Sequence, residues 1–76
     1  MNNKRRELLK NGRELLSRVS DLISRVLEEE QDCMDNIPEN LQSSDRYETM
    51  EEMVSKLEEL IEHIENADEL ISEIIC

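Results

Sequence analysis

Residues 45–75, DRYETMEEMVSKLEELIEHIENADELISEII, contain neither glycine nor proline, and their apolar side chains recur at intervals of three and four. Met50, Met53, Leu57, Leu60, Ile64, Ala67, Ile71 and Ile74 fill eight successive a and d positions of a heptad. Val54, Ile61 and Ile75 add the e position, with Tyr47 in the same register and Asp68 as the one charged e residue. Glu51, Glu52, Glu58, Glu59, Glu62, Glu65, Glu69 and Glu73 fall on the outer face. The pattern predicts one long amphipathic helix. It starts near Ser44 or Asp45, where Asp45 followed three residues later by Glu48 gives a capping box with Asp as the cap.

Upstream lies a break, Asp35-Asn36-Ile37-Pro38-Glu39-Asn40-Leu41-Gln42-Ser43-Ser44. Pro38 lacks a backbone donor and disfavours helical geometry at Ile37, so a preceding helix must stop before it. Ile37 and Leu41 are apolar and four residues apart, which predicts an ordered turn closed by Asn36 or Ser43.

Residues 3–34 form a second amphipathic pattern. Leu8, Leu15, Val19, Leu22 and Val26 have the spacing of a buried seam, and Leu9, Leu16, Ile23 and Leu27 widen it on one side. Gly12 falls on this seam, either tolerated at a cost of about 1 kcal/mol or marking close approach of another helix. A linker of about ten residues folds the second helix back antiparallel to the first. The expected architecture is all-α: helix 3–34, ordered loop 35–44, helix 45–75.

Charge points the same way. Residues 1–25 hold seven bases (Lys4, Arg5, Arg6, Lys10, Arg13, Arg18, Arg25) against three acids, a net of +4. Residues 26–76 hold two bases against seventeen acids, a net of -15. An antiparallel hairpin sets Lys4, Arg6, Lys10 and Arg13 beside Glu62, Glu65, Glu69 and Glu73, a complementarity that selects against parallel packing.

A chain of 76 residues hides only about 60% of its unfolded surface and is marginally stable alone. Cys33 and Cys76 are too few for a disulfide framework and have no metal-ligand spacing. In the hairpin they stand at opposite ends, with Cys33 expected as a small hydrophobe on the seam. Apolar stripes too wide for one neighbour call for association. The expectation is a homodimer closing a four-helix bundle through Leu15, Val19, Leu22, Val26, Leu57, Leu60, Ile61, Ile64, Ile71 and Ile74.

Chemistry is hard to find in the sequence. Di-metal bundles use Glu-x-x-His, but Leu60 stands three residues before the only histidine, His63. His63 takes a g position near Glu59 as a flanking residue, and Met50 and Met53 read as core next to the loop. No Gly-rich phosphate loop or Ser-His-Asp set occurs, so no enzyme activity, metal or cofactor is expected. No apolar run approaches the roughly 20 residues of a membrane span. The basic N-terminus has no apolar stretch behind it and is not read as a signal peptide. The expected compartment is therefore the cytoplasm, with both thiols reduced. A net charge of -11 argues against direct nucleic-acid binding.

The segment Asp35-Asn36-Ile37-Pro38-Glu39-Asn40-Leu41-Gln42, followed by Ser44, Arg46, Tyr47 and the Glu-rich heptad helix, resembles small uncharacterised acidic helical proteins of Gram-positive bacteria, their phages and mobile elements. In those proteins a similar N-[IM]-P-E-N-L-Q segment precedes an acidic helix. The resemblance covers about residues 28–75 and implies a context without an activity. Three functions fit the sequence. The first is a non-enzymatic scaffold or adaptor that binds itself and another protein. The second is an acidic inhibitor or nucleic-acid mimic that meets a basic protein. The third is a bundle whose basic end (Lys4, Arg5, Arg6, Lys10, Arg13) receives an anionic ligand.

Overall fold

The structure, a computed structural model, describes residues 1–76 and consists of helices alone: α1 (Asn3–Asp35), a 3-10 turn (Glu39–Leu41) and α2 (Asp45–Ile75). The two long helices pack side by side into a rod of 59 × 15 × 13 Å. Asn2 caps α1, its side chain accepting a hydrogen bond from the Arg5 amide at 2.9 Å. At the far end the Asn36 amide donates to the Asp32 carbonyl and the Ile37 amide to that of Met34. Pro38 then starts the 3-10 turn, with Leu41 N–H donating to the Pro38 carbonyl at 2.9 Å.

The cap of α2 is Ser44, not Asp45. The Ser44 side chain accepts from the Tyr47 amide at 3.3 Å, and Asp45 and Glu48 occupy the first helical turn. There their charges favour the positive end of the helix dipole. Neither the Asn36 nor the Ser43 side chain closes the loop. Asn36 only ends α1 through its backbone amide. The loop is held by the Ser44 amide donating to the Leu41 carbonyl and the Gln42 side chain donating to the Ile37 carbonyl at 3.4 Å.

The register of the hairpin is set by one bidentate ion pair. Arg13 donates from Nε and a terminal nitrogen to the two Asp68 carboxylate oxygens at 2.9 and 3.2 Å. In an antiparallel pair, each step up α1 is a step down α2. Leu16 therefore lies level with Ile64, Ile23 with Leu57, Leu27 with Val54 and Met34 with Tyr47, all half-buried. The half-buried positions of α1 run Leu9, Arg13, Leu16, Ser20, Ile23, Leu27, Glu30, Met34, an alternation of four and three, with Gly12 half-buried beside Arg13. Those of α2 run likewise from Tyr47 to Ile75 along the a and e positions, with Ala67 and Ser72 half-buried as well.

Two expectations for α1 are corrected here. The seam that meets α2 is the set around Leu9, Leu16, Ile23 and Leu27, which looked like a flank. Leu8, Leu15, Val19, Leu22 and Val26, which looked like the seam, stand exposed. Rotation of the helix by about one residue, 100°, separates the two stripes. Arg13 reaches Asp68 only if its own stripe faces α2. Cys33 shares the outward rotation and is exposed, as is Cys76.

No side chain in the chain is fully buried. The accessible surface is 6084 Å², whereas a compact protein of this 9.0 kDa mass exposes about 4,900 Å². The hairpin has a seam but no core.

Candidate functional site

The site is a face of the rod, and it follows from helix periodicity. Every seam position has a neighbour one residue earlier, about 100° away around the helix axis. Because α1 and α2 run in opposite directions, this displacement carries both sets of neighbours to the same side of the hairpin. On α1 they are Leu8, Gly12, Leu15, Val19, Leu22 and Val26. On α2 the apolar members are Met53, Leu60, Ala67, Leu70 and Ile74, interspersed with Thr49, Lys56 and His63.

Residues one step after the seam form the opposite side. On α1 these include Lys10, Glu14, Ser17 and Asp21, and on α2 Glu51, Glu58, Glu62 and Glu65. One side of the hairpin is thus a largely apolar strip, unbroken on α1 from Leu8 to Val26 and interrupted on α2 by Lys56 and His63. The other is polar along its length. The strip is in water: Leu8 is 62% exposed, Leu22 60%, Leu70 59% and Ile74 51%. A Cβ placed on Gly12 would meet nothing within 4 Å. No close approach within the chain explains the glycine. It leaves a depression in the strip.

Of the expected interface residues, the structure places Leu15, Val19, Leu22, Val26, Leu60 and Ile74 on the exposed strip. Leu57, Ile61, Ile64 and Ile71 lie in the intramolecular seam, half-buried against α1. Leu8, Met53 and Leu70 belong to the strip without having been singled out. The signal that finds them is the Arg13–Asp68 pair, because once its positions are assigned to the seam every other residue's side follows.

The basic N-terminal residues do not form one cluster. Arg13 is committed to Asp68, with about 40% of each side chain exposed (38% and 41%). The hydrogen bond from Arg13 holds the Asp68 carboxyl below its usual range, and the same bond raises the guanidinium. Lys10 pairs with Glu7 of its own helix at 3.4 Å, so the expected ladder of bases across to Glu62, Glu65, Glu69 and Glu73 is reduced to the single contact with Asp68. Lys4, Arg5 and Arg6 extend into solvent. His63 sits 3.5 Å from Glu59, both well exposed.

No family model, curated protein or solved structure matches the chain. The chemistry of its surface therefore has to speak alone. No three of its His, Cys, Asp and Glu side chains converge as metal ligands would. No helix is long and apolar enough to cross a membrane. The feature that stands out is the apolar strip.

Proposed function

We propose that the chain is a non-enzymatic protein-interaction module that works as a four-helix bundle of two copies, acting as a scaffold or adaptor in the cytoplasm. The observation that carries this reading is the strip of large aliphatic residues along one side of a hairpin that has no core of its own. Exposed apolar strips of this length mark association surfaces. A rectangle of 59 × 15 Å offers roughly 900 Å² per copy, close to the ~800 Å² per partner of a standard interface. Burying it would also remove most of the excess surface of the isolated hairpin.

Sedimentation equilibrium tests this. The native chain at micromolar concentration is expected at twice its 9.0 kDa mass, and Leu22→Glu and Leu60→Glu, each placing a charge in the strip, are expected to shift it to monomer. A folded native monomer would overturn the reading.

A second reading has its own support. Among the acids of α2 only Asp68 and Glu59 have a base within 4 Å, so the others are free to meet a basic protein. An inhibitor or nucleic-acid mimic would use that surface, and its complex would weaken steeply as salt rises. Scaffold contacts through an apolar groove would not.

A further inference from the structure

Resting on that dimer, we infer that the second copy packs with its two-fold axis parallel to the helices, so that α1 lies on the partner's α2. Two hairpins joined by their apolar sides with their helices aligned have only two symmetric arrangements. In the other one the axis crosses the helices, and each helix lies on its own copy. Both cover the same apolar side. Charge separates them.

The outermost row of each helix, pointing away from the seam, borders the strip. On α1 this row is Lys4, Asn11, Arg18, Arg25, basic over the length of the strip, and on α2 it is Glu52, Glu59, Asn66, Glu73. With the axis parallel to the helices, the basic border of one copy runs beside the acidic border of the other on both sides of the bundle. With the axis crossing, basic meets basic and acidic meets acidic. Like charges along an interface select against that arrangement.

An axis parallel to the helices also leaves no freedom to slide, because a two-fold rotation does not translate along its own axis. The register within one chain, fixed by Arg13 and Asp68, is therefore the register between chains. Arg18 and Arg25 both come within about one helical turn of the partner's Glu59. The partner's His63 is level with Arg18 and the partner's Lys56 level with Arg25, so the acidic border is Glu52 and Glu59 on either side of one base. Leu22 comes level with the partner's Leu60. The open space over Gly12 falls beside the partner's Leu70, a branched side chain large enough to fill it.

The test uses full-length chains in which Cys33 and Cys76 are serine. One preparation carries Leu22→Cys and the other Leu60→Cys, and the two are mixed, exchanged and oxidised. The expected result is a disulfide between the two different chains, in preference to either chain with itself. A mixture that dimerises by sedimentation without forming the mixed disulfide would overturn the arrangement and leave the dimer standing. A mixture that stays monomeric, with the native chain also monomeric, would overturn the dimer itself. Glu52→Lys combined with Glu59→Lys gives a second readout. In the proposed packing it should weaken the dimer about three- to tenfold, with recovery on adding Arg18→Glu and Arg25→Glu. Failure of the variant with all four substitutions, which restores the native net charge, to associate more tightly than the lysine variant would sink the proposal.

Discussion

Arg13 and Asp68 carry more structural information than any other pair in the chain. Both lie at seam positions that would ordinarily hold an aliphatic residue. The bidentate geometry matches the planar guanidinium to the carboxylate and tolerates no slip of the helices. The pair also gives the chain a distinct acid response. Asp68 has a depressed pKa when folded, so its contribution is present above the usual carboxylate range, near 4, and fades as pH falls through the folded value. Acid also changes the overall charge of a chain that carries -11. The measurable quantity is therefore a difference. Asp68→Asn should be less stable than the native chain at pH 7, and the gap should close as pH drops below about 4. Denaturant unfolding at a series of pH values checks this, and a gap independent of pH would show that the pair adds nothing electrostatic. Neither residue's role was legible in the sequence. Arg13 has the spacing of a surface base, and its partner is 55 positions away.

At the scale of the element, the sequence supports the start of α2 better than the start of α1, and neither helix has a base in its last turn. α2 has a serine cap and acids in its first turn. α1 has no acid in its first turn, where Lys4, Arg5 and Arg6 stand, and no base in its last, where Asp32 and Asp35 stand. Each such charge opposes the helix dipole by roughly 0.3–1 kcal/mol at low ionic strength. α1 thus depends on packing against α2 and benefits from lying antiparallel to it, its basic end beside the acidic end of its neighbour. The cap of α2 gives a direct prediction. Ser44→Ala should cost about 1 kcal/mol, a fall of roughly 4–8 °C in Tm for a domain of this size, while Asp45→Ala should cost less. Thermal melts followed by circular dichroism at one chain concentration decide it, and the reverse order would restore Asp45 as the cap. The helix limits themselves were readable from sequence to within a residue, because heptad periodicity and Pro38 are local signals.

For the whole molecule, the consequence of a seam and a strip on adjacent residues is that neighbours in sequence have different jobs. Leu16 is half-buried against α2, and Leu15 is 58% exposed on the strip. Leu16→Ala should destabilise the hairpin by about 1–2 kcal/mol, part of the cost of emptying a fully buried site, and the loss should persist at every chain concentration. Leu15→Ala should instead raise the dimer dissociation constant about tenfold for each 1.4 kcal/mol of lost contact, and so alter how strongly Tm depends on concentration. Melts of both variants over a ~100-fold range of concentration separate the two. Identical concentration dependence would mean that seam and strip had been wrongly divided.

The sequence by itself determined that the chain forms two long helices joined by a proline-centred turn, and that they lie antiparallel. Periodicity, Pro38 and the opposite charges of the two halves are enough for that, because each acts over one or two helical turns or along a whole element. It also showed more apolar surface on each helix than a single neighbour could cover. Only the tertiary structure decided which stripe of α1 meets α2. Two stripes about 100° apart have almost the same aliphatic content, so hydrophobicity does not distinguish them. The contact that marks the choice is a polar one between residues remote in sequence, Arg13 and Asp68. That choice turns Leu8, Leu15, Val19, Leu22 and Val26 outward, and with them the surface through which we propose the protein acts.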